Sequence, residues 1–139
     1  MLMSKKVQDA LDDATKAHEH DKRKYSGAGY VIHPRAVYDI LKLVTKDEDV
    51  LCAGLLHDVV EDHPDEYSFE DIQKKYGVKV SDILQEVTKD AHKKFHIKSR
   101  EGLMVKLADM LHNISDCPDS SYVKKKIKFI EDTIVWEYR

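Results

Sequence analysis

Asp49-Val50-Leu51-Cys52-Ala53-Gly54-Leu55-Leu56-His57-Asp58-Val59-Val60-Glu61-Asp62 is the stretch on which the reading of this chain turns. Its first half, Val50 to Leu56, is the longest uninterrupted apolar run in the sequence. It is far shorter than the roughly 20 residues a membrane-spanning helix needs, so no membrane partner is expected. The second half sets four polar groups at the end of that run. The pattern predicts a helix from about Asp49 to Asp62, stopping before Pro64. On such a helix His57 shares a face with Glu61, and Asp58 with Asp62. Burying an imidazole and a carboxylate there is costly unless they are paired, and a divalent cation is a natural partner.

Working outward, helical spacing recurs on both sides and no stretch alternates long enough to read as a strand. Val7, Ala10, Leu11, Ala14 and Ala17 form a stripe opening after Ser4 as N-cap, with the helix expected to end near Tyr25. Ser26-Gly27-Ala28-Gly29 is the clearest loop. Pro34 favours a first helical position, placing His33 at or beside the N-cap, with Val37, Ile40, Leu41 and Val44 facing inward. Ser68 to Asp71 resembles a capping box, and Gly77 suits the end of the short helix that follows. Val80 to Lys89 places Ile83, Leu84 and Val87 inward, while residues 90 to 101 are polar and ambiguous. The pattern resumes from about Gly102 to Ile114, stopping near Pro118. A last helix from about Ser120 turns Val123, Ile127, Ile130, Ile134 and Val135 inward. The expectation is a compact all-α bundle of six to eight helices, with residues 1–139 forming one domain.

Composition narrows the function classes. The chain has 139 residues, 42% of them hydrophobic, which excludes a chain disordered by composition. Its 23 basic and 26 acidic residues leave a net charge of -3, so no nucleic-acid partner is expected from global charge. The two cysteines, Cys52 and Cys117, provide no disulfide framework and no CxxC pair, and Cys52 reads as an inert core residue. No signal peptide is legible at the start, and the chain reads as cytoplasmic. Charge is nonetheless segregated: residues 47–73 hold ten acids and no Lys or Arg, whereas residues 89–106 hold six Lys or Arg against two acids. Such runs are either solvated faces or an acidic cation site opposite a basic anion site.

Three further places set chemistry-bearing residues against apolar faces. His33 is fixed at a helix start; alone, it also reads as a cap or a surface residue. In Lys106-Leu107-Ala108-Asp109-Met110-Leu111-His112-Asn113, Asp109 interrupts an apolar run and needs a cation or donors. Arg23-Lys24 opens onto the glycine loop and alone reads as an exposed basic patch.

His33, His57-Asp58 and Asp109, in that order, resemble the H…HD…D pattern of HD-domain metal-dependent phosphohydrolases. With Ala17-His18, Arg23-Lys24, Tyr30 to Pro34, Val87-Thr88-Lys89 and Val105 to Asn113, the chain from about 7 to 116 resembles the hydrolase domain of RelA/SpoT-type enzymes, especially the small alarmone hydrolases that include the metazoan SpoT homologue. The resemblance implies an all-α fold. It also implies Mn²⁺-dependent hydrolysis of the 3′-pyrophosphate of guanosine tetra- or pentaphosphate, giving GDP or GTP and pyrophosphate. On this resemblance His33, His57, Asp58 and Asp109 hold the metal. Glu61 and Asp62 position and deprotonate the attacking water, and Arg23, Lys24 and Asn113 contact the guanine nucleotide. Three features depart from the family pattern: His20-Asp21 stands where Gly-Gln is usual, Gly29 where Pro is usual, and the segment between Thr88 and Gly102 is short. No synthetase motifs follow, so synthesis is not expected. Two alternatives stay open: a phosphatase for another nucleotide such as NADPH, and a silent nucleotide-sensing module.

Overall fold

The computed structural model describes residues 3–24, 26–116 and 119–137, with side chains through 132. Ser4 caps the first helix as its spacing predicts: its hydroxyl accepts the Val7 N–H, and α1 (Lys5–Ala17) buries Val7, Ala10, Ala14 and Ala17. There follow α2 (Ile32–Lys42), α3 (Glu48–Leu56), α4 (Val59–Asp62), α5 (Phe69–Tyr76), α6 (Val78–Val87), α7 (Arg100–Asp116) and α8 (Ser120–Glu137). Among the described residues there is no strand, only an isolated bridge between Lys22 and Gly29. None of the helices is long and apolar enough to cross a membrane.

The apolar run forms the centre of the molecule. Every residue of α3 from Val50 to Leu56 is buried, and α1, α2, α6 and α7 all pack on that helix. Gly54 permits the tightest of these contacts, because a Cβ there would lie 2.5 Å from Leu41 Cδ1 and 3.4 Å from Val37 Cγ1. The close approach of α2 to α3 sets the start of one helix against the end of the other. Asp71 N–H donates to Ser68 Oγ at the start of α5, and Gly77 ends that helix at φ +101°. Glu86 on α6 accepts the Lys98 and Ser99 N–H groups at 2.6 and 2.7 Å, so one carboxylate anchors the approach to α7.

Several boundaries differ from the periodicity. α1 stops at Ala17, two turns early, because the buried His18 ring turns to Asp21 and the chain then pairs with the glycine segment through Arg23 N–H to Ala28 C=O. Pro34 sits third in α2 rather than first, which puts His33 inside the first turn. Val44 is exposed, since α2 ends at Lys42 and the helical phase lapses. The expected helix from Asp49 to Asp62 is broken at His57-Asp58. There the Gly54 carbonyl, which an unbroken helix would offer to the Asp58 N–H, accepts the His57 Nδ1–H at 2.7 Å. Ile127, expected inward, is exposed on α8, which packs chiefly against α7. Tyr25, Cys117, Pro118 and the side chains of Ile134 and Val135 lie outside the described residues.

Cys52 is buried and its thiol is pushed up to about 12 by that burial, in keeping with an unreactive core residue. Truncating Leu55, fully buried on α3, is expected to cost about 2–5 kcal/mol in urea unfolding of Leu55→Ala. Leu43→Ala, at a side chain 84% exposed, is expected to stay within about 0.5 kcal/mol of the parent.

Candidate metal centre and its flanking cavities

Three helices deliver the polar residues to one point. His33 comes from the first turn of α2, His57 from the break after α3, and Asp109 from the middle of α7. His33 Nε2 and His57 Nε2 stand 3.1 Å apart, and both reach Asp109 Oδ1, at 2.7 and 3.1 Å. Asp58 Oδ2 completes the group, 3.0 Å from His57 Nε2 and 3.7 Å from His33 Nε2. One ligand atom from each of the four lies within 4.8 Å of the others. Neighbouring ligands of an ion bound at about 2.1 Å stand about 3 Å apart, so this donor set fits a small divalent cation.

The surrounding contacts fix each donor. His57 Nδ1–H is spent on the Gly54 carbonyl, which turns Nε2 towards the cluster. Tyr30 OH donates to Asp58 Oδ2 at 2.6 Å, Asn113 Nδ2 donates to Asp109 Oδ1, and Lys106 Nζ donates to Asp109 Oδ2. His112 Nδ1 stands 2.8 Å from His33 Nδ1. Electrostatics within the cluster call for positive charge at its centre. Burial alone would lower the His57 imidazole, but Asp58 and Asp109 outweigh it and hold the group well above its ordinary value. Burial would raise Asp109, yet its bonds to His33 and His57 hold it well below the carboxylate range. His33 is lowered by burial.

Glu61 and Asp62 sit on α4 at the mouth of this group, both exposed. Partial desolvation and then the charge of Asp58 raise Glu61. The same two causes, with Glu61 as a third, push Asp62 up to about 7. Glu61, Asp58 and Asp109 line a cavity of about 240 Å³ together with Lys89, Lys106 and Lys126. Asp62 is not part of that lining. Lys126 is lowered by burial and then by the charges of Lys106 and Lys89, so three crowded ammonium groups face a cavity suited to an anion. Phe95 braces the wall, with Lys106 Nζ 3.7 Å and Lys89 Nζ 5.5 Å from its ring centre. The polar segment 90–101, illegible in the sequence, therefore supplies part of the wall. A larger cavity of about 570 Å³ continues outward past Phe95 and Phe129.

The residues expected to contact nucleotide are divided. Arg23 is buried rather than on an exposed patch: Nε donates to Asp116 Oδ2 at 2.9 Å and an NH2 nitrogen donates to Asn113 Oδ1 at 2.8 Å. Lys24 lines a neighbouring cavity of about 260 Å³ with Arg23, and Tyr30, Asn113 and Tyr122 border both cavities. Asn113 thus stands at their junction. The sequence reading missed Tyr30 and His112 as partners of the cluster. A tyrosine three residues before the helix-start histidine was the one available signal for Tyr30. His112, three residues after Asp109, lies on the same helix face and was legible as such.

Comparison with known proteins agrees with this architecture. The HD-domain family pattern matches residues 10–101, which include His33, His57 and Asp58. A Spiroplasma citri protein named guanosine-3′,5′-bis(diphosphate) 3′-pyrophosphohydrolase is 33% identical over 79% of this chain, and a Streptomyces coelicolor protein named GTP pyrophosphokinase is 37% identical over 79%. The chain spans only 17% and 14% of those two relatives. A solved structure, described as that of a metazoan ortholog of SpoT that hydrolyzes ppGpp and plays a role in starvation responses, superposes with a TM-score of 0.72. It is 33% identical, over 84% of this chain and 72% of its own. With the family pattern over most of its length, and this relative alike in both sequence and fold, the chain belongs to the HD-domain family.

Proposed function

We propose that this protein is a Mn²⁺-dependent hydrolase that removes the 3′-pyrophosphate of guanosine tetra- or pentaphosphate, leaving GDP or GTP. The observation that carries the reading is the convergence of His33, His57, Asp58 and Asp109 beside an acidic mouth and a cavity that Lys89, Lys106 and Lys126 also line. Such a divided cavity is what hydrolysis of a polyanion requires: carboxylates and imidazoles for a cation, ammonium groups for phosphate. The similarity to the metazoan SpoT ortholog supports the choice of nucleotide.

His33, His57, Asp58 and Asp109 would hold the ion. Nitrogen and carboxylate donors together suit Mn²⁺. The bound ion would supply Lewis acidity, lowering the pKa of water and offsetting charge on a phosphoryl oxygen. The protein's own groups do the rest. Tyr30 and Asn113 hold the two carboxylates in place by hydrogen bonds. Glu61, on the cavity lining, takes the water's proton, partial desolvation and the charge of Asp58 raising its affinity for one, and Asp62 beside it helps to position the water. Lys89, Lys106 and Lys126 bind the phosphate oxygens, while Asn113 and Lys24 face the nucleoside side. Arg23 orients Asn113 through its 2.8 Å bond and reaches the nucleotide indirectly.

Assayed with Mn²⁺, the purified protein is expected to convert ppGpp to GDP and pyrophosphate in a nucleotide panel resolved by chromatography. Release of phosphate from NADPH with ppGpp untouched would overturn the substrate and leave the metal assignment standing. Glu61→Gln/Asp62→Asn is expected to lose at least about 100-fold in kcat while retaining its ion. His57→Ala/Asp58→Ala is expected to lose one equivalent of tightly bound Mn²⁺ by elemental analysis, with the helical circular dichroism unchanged. Undiminished Mn²⁺ in that variant rejects the ligand assignment.

A further inference from the structure

A second cluster of imidazole and carboxylate lies outside the centre just described. His18, at the end of α1, places Nδ1 2.9 Å from Asp21 Oδ2. His63, at the end of α4 and 42 residues further along the chain, places Nε2 2.6 Å from the same oxygen. One ligand atom from each of the three lies within 4.8 Å of the others. None of the three belongs to the H…HD…D set, and Asp21 is one of the positions where the chain departs from the resembled pattern.

The setting of His18 points to a ligand. Its side chain is fully buried, and Asp21 is its hydrogen-bond partner. Among the described residues its Nε2 is buried without a hydrogen bond. An imidazole held in the interior at such cost, with its polar engagement aimed into a cluster, is anchored for a purpose other than packing. The other two residues remain reachable: the side chains of Asp21 and His63 are 31% and 24% exposed. A buried imidazole behind an accessible imidazole and carboxylate makes an open three-ligand set, the kind that leaves positions for water.

We propose that His18, Asp21 and His63 form a second cation site for a borderline divalent transition-metal ion of the zinc class. Two imidazole nitrogens with one carboxylate oxygen favour such an ion over calcium or magnesium, which prefer all-oxygen sets. The ion would act as a clamp. Asp21 belongs to the loop that carries Arg23 and Lys24, and its carbonyl accepts the Tyr30 N–H at 2.9 Å. His63 follows Glu61 and Asp62 directly. His18 packs against the Tyr30 ring, with centroids 4.7 Å apart, and Tyr30 holds Asp58. Occupancy therefore ties the nucleotide loop to the acidic mouth from behind, without reaching into the catalytic cavity.

The test is titration of the metal-stripped full-length protein with Co²⁺, a zinc stand-in with visible absorption, together with elemental analysis after dialysis against Zn²⁺. His63→Ala is made both in the wild-type protein and in His57→Ala/Asp58→Ala. The proposal expects His63→Ala to remove one equivalent of Co²⁺ in each background, with loss of the visible bands of a low-coordinate nitrogen–oxygen site. Asp21→Asn, which keeps the shape of the side chain, is expected to weaken the same equivalent at least 10-fold and covers the case in which His63→Ala fails to fold. Unchanged stoichiometry and spectrum on His63→Ala and Asp21→Asn would reduce the cluster to a hydrogen-bonded network and overturn the site. Because each comparison is made within one background, failure of the first centre's assignment leaves this result readable.

Discussion

A single carboxylate oxygen organises the molecule. Asp109 Oδ1 receives His33, His57 and Asn113, and its other oxygen receives Lys106, all within an otherwise apolar meeting of helices. A carboxylate buried this deeply is tolerable only when its partners are present, and loss of one partner of a buried charge pair typically costs about 3–5 kcal/mol. The helices are therefore constrained at a point rather than merely along their apolar stripes. α2 must begin there, α3 must break there, and α7 must pass with its polar face inward. Gly54 serves the same end twice: its missing Cβ lets α2 come close, and its carbonyl orients His57.

What was legible in the sequence was what local chemistry determines. Ser4, Ser68 and Gly77 act as caps because their side chains or φ angles settle matters within a few residues. The inner faces of α3 and α6 follow from apolar content alone. The cluster residues stood out because charged groups amid apolar runs demand explanation. What was not legible depends on partners distant in sequence. Arg23 read as an exposed basic knot, yet Asp116, 93 residues away, draws it into the interior. α1 should have run on to Tyr25 by its spacing, but the burial of His18 and its bond to Asp21 end it. The unbroken helix through His57 failed for a related reason, since a side chain competes there for a backbone acceptor.

The segregation of charge along the chain acquires a spatial meaning in the fold. The acidic stretch contributes Asp58 and Glu61, and the lysine-rich stretch Lys89 and Lys106, to the lining of one cavity of about 240 Å³. A small net charge thus conceals a strong local field. Phe95 offsets part of the crowding by presenting the electron-rich face of its ring to two of those lysines. Asn113 borders both cavities and bonds both the buried carboxylate of Asp109 and Arg23, which makes it the mechanical link between the two cavities.

α8 is attached differently from the rest. It contributes Lys126 and Phe129 to the cavity walls, yet it rests chiefly on α7 and leaves Ile127 in solvent. The donors of the candidate centre, by contrast, are all carried by α2, α7 and the break between α3 and α4. The clustered donors and part of the cavity wall beside them thus reside on separable pieces of the fold. Substitutions along α8 change the shape and charge of the cavity walls while the four clustered donors stay in place, so the space beside the centre is open to drift in one peripheral helix.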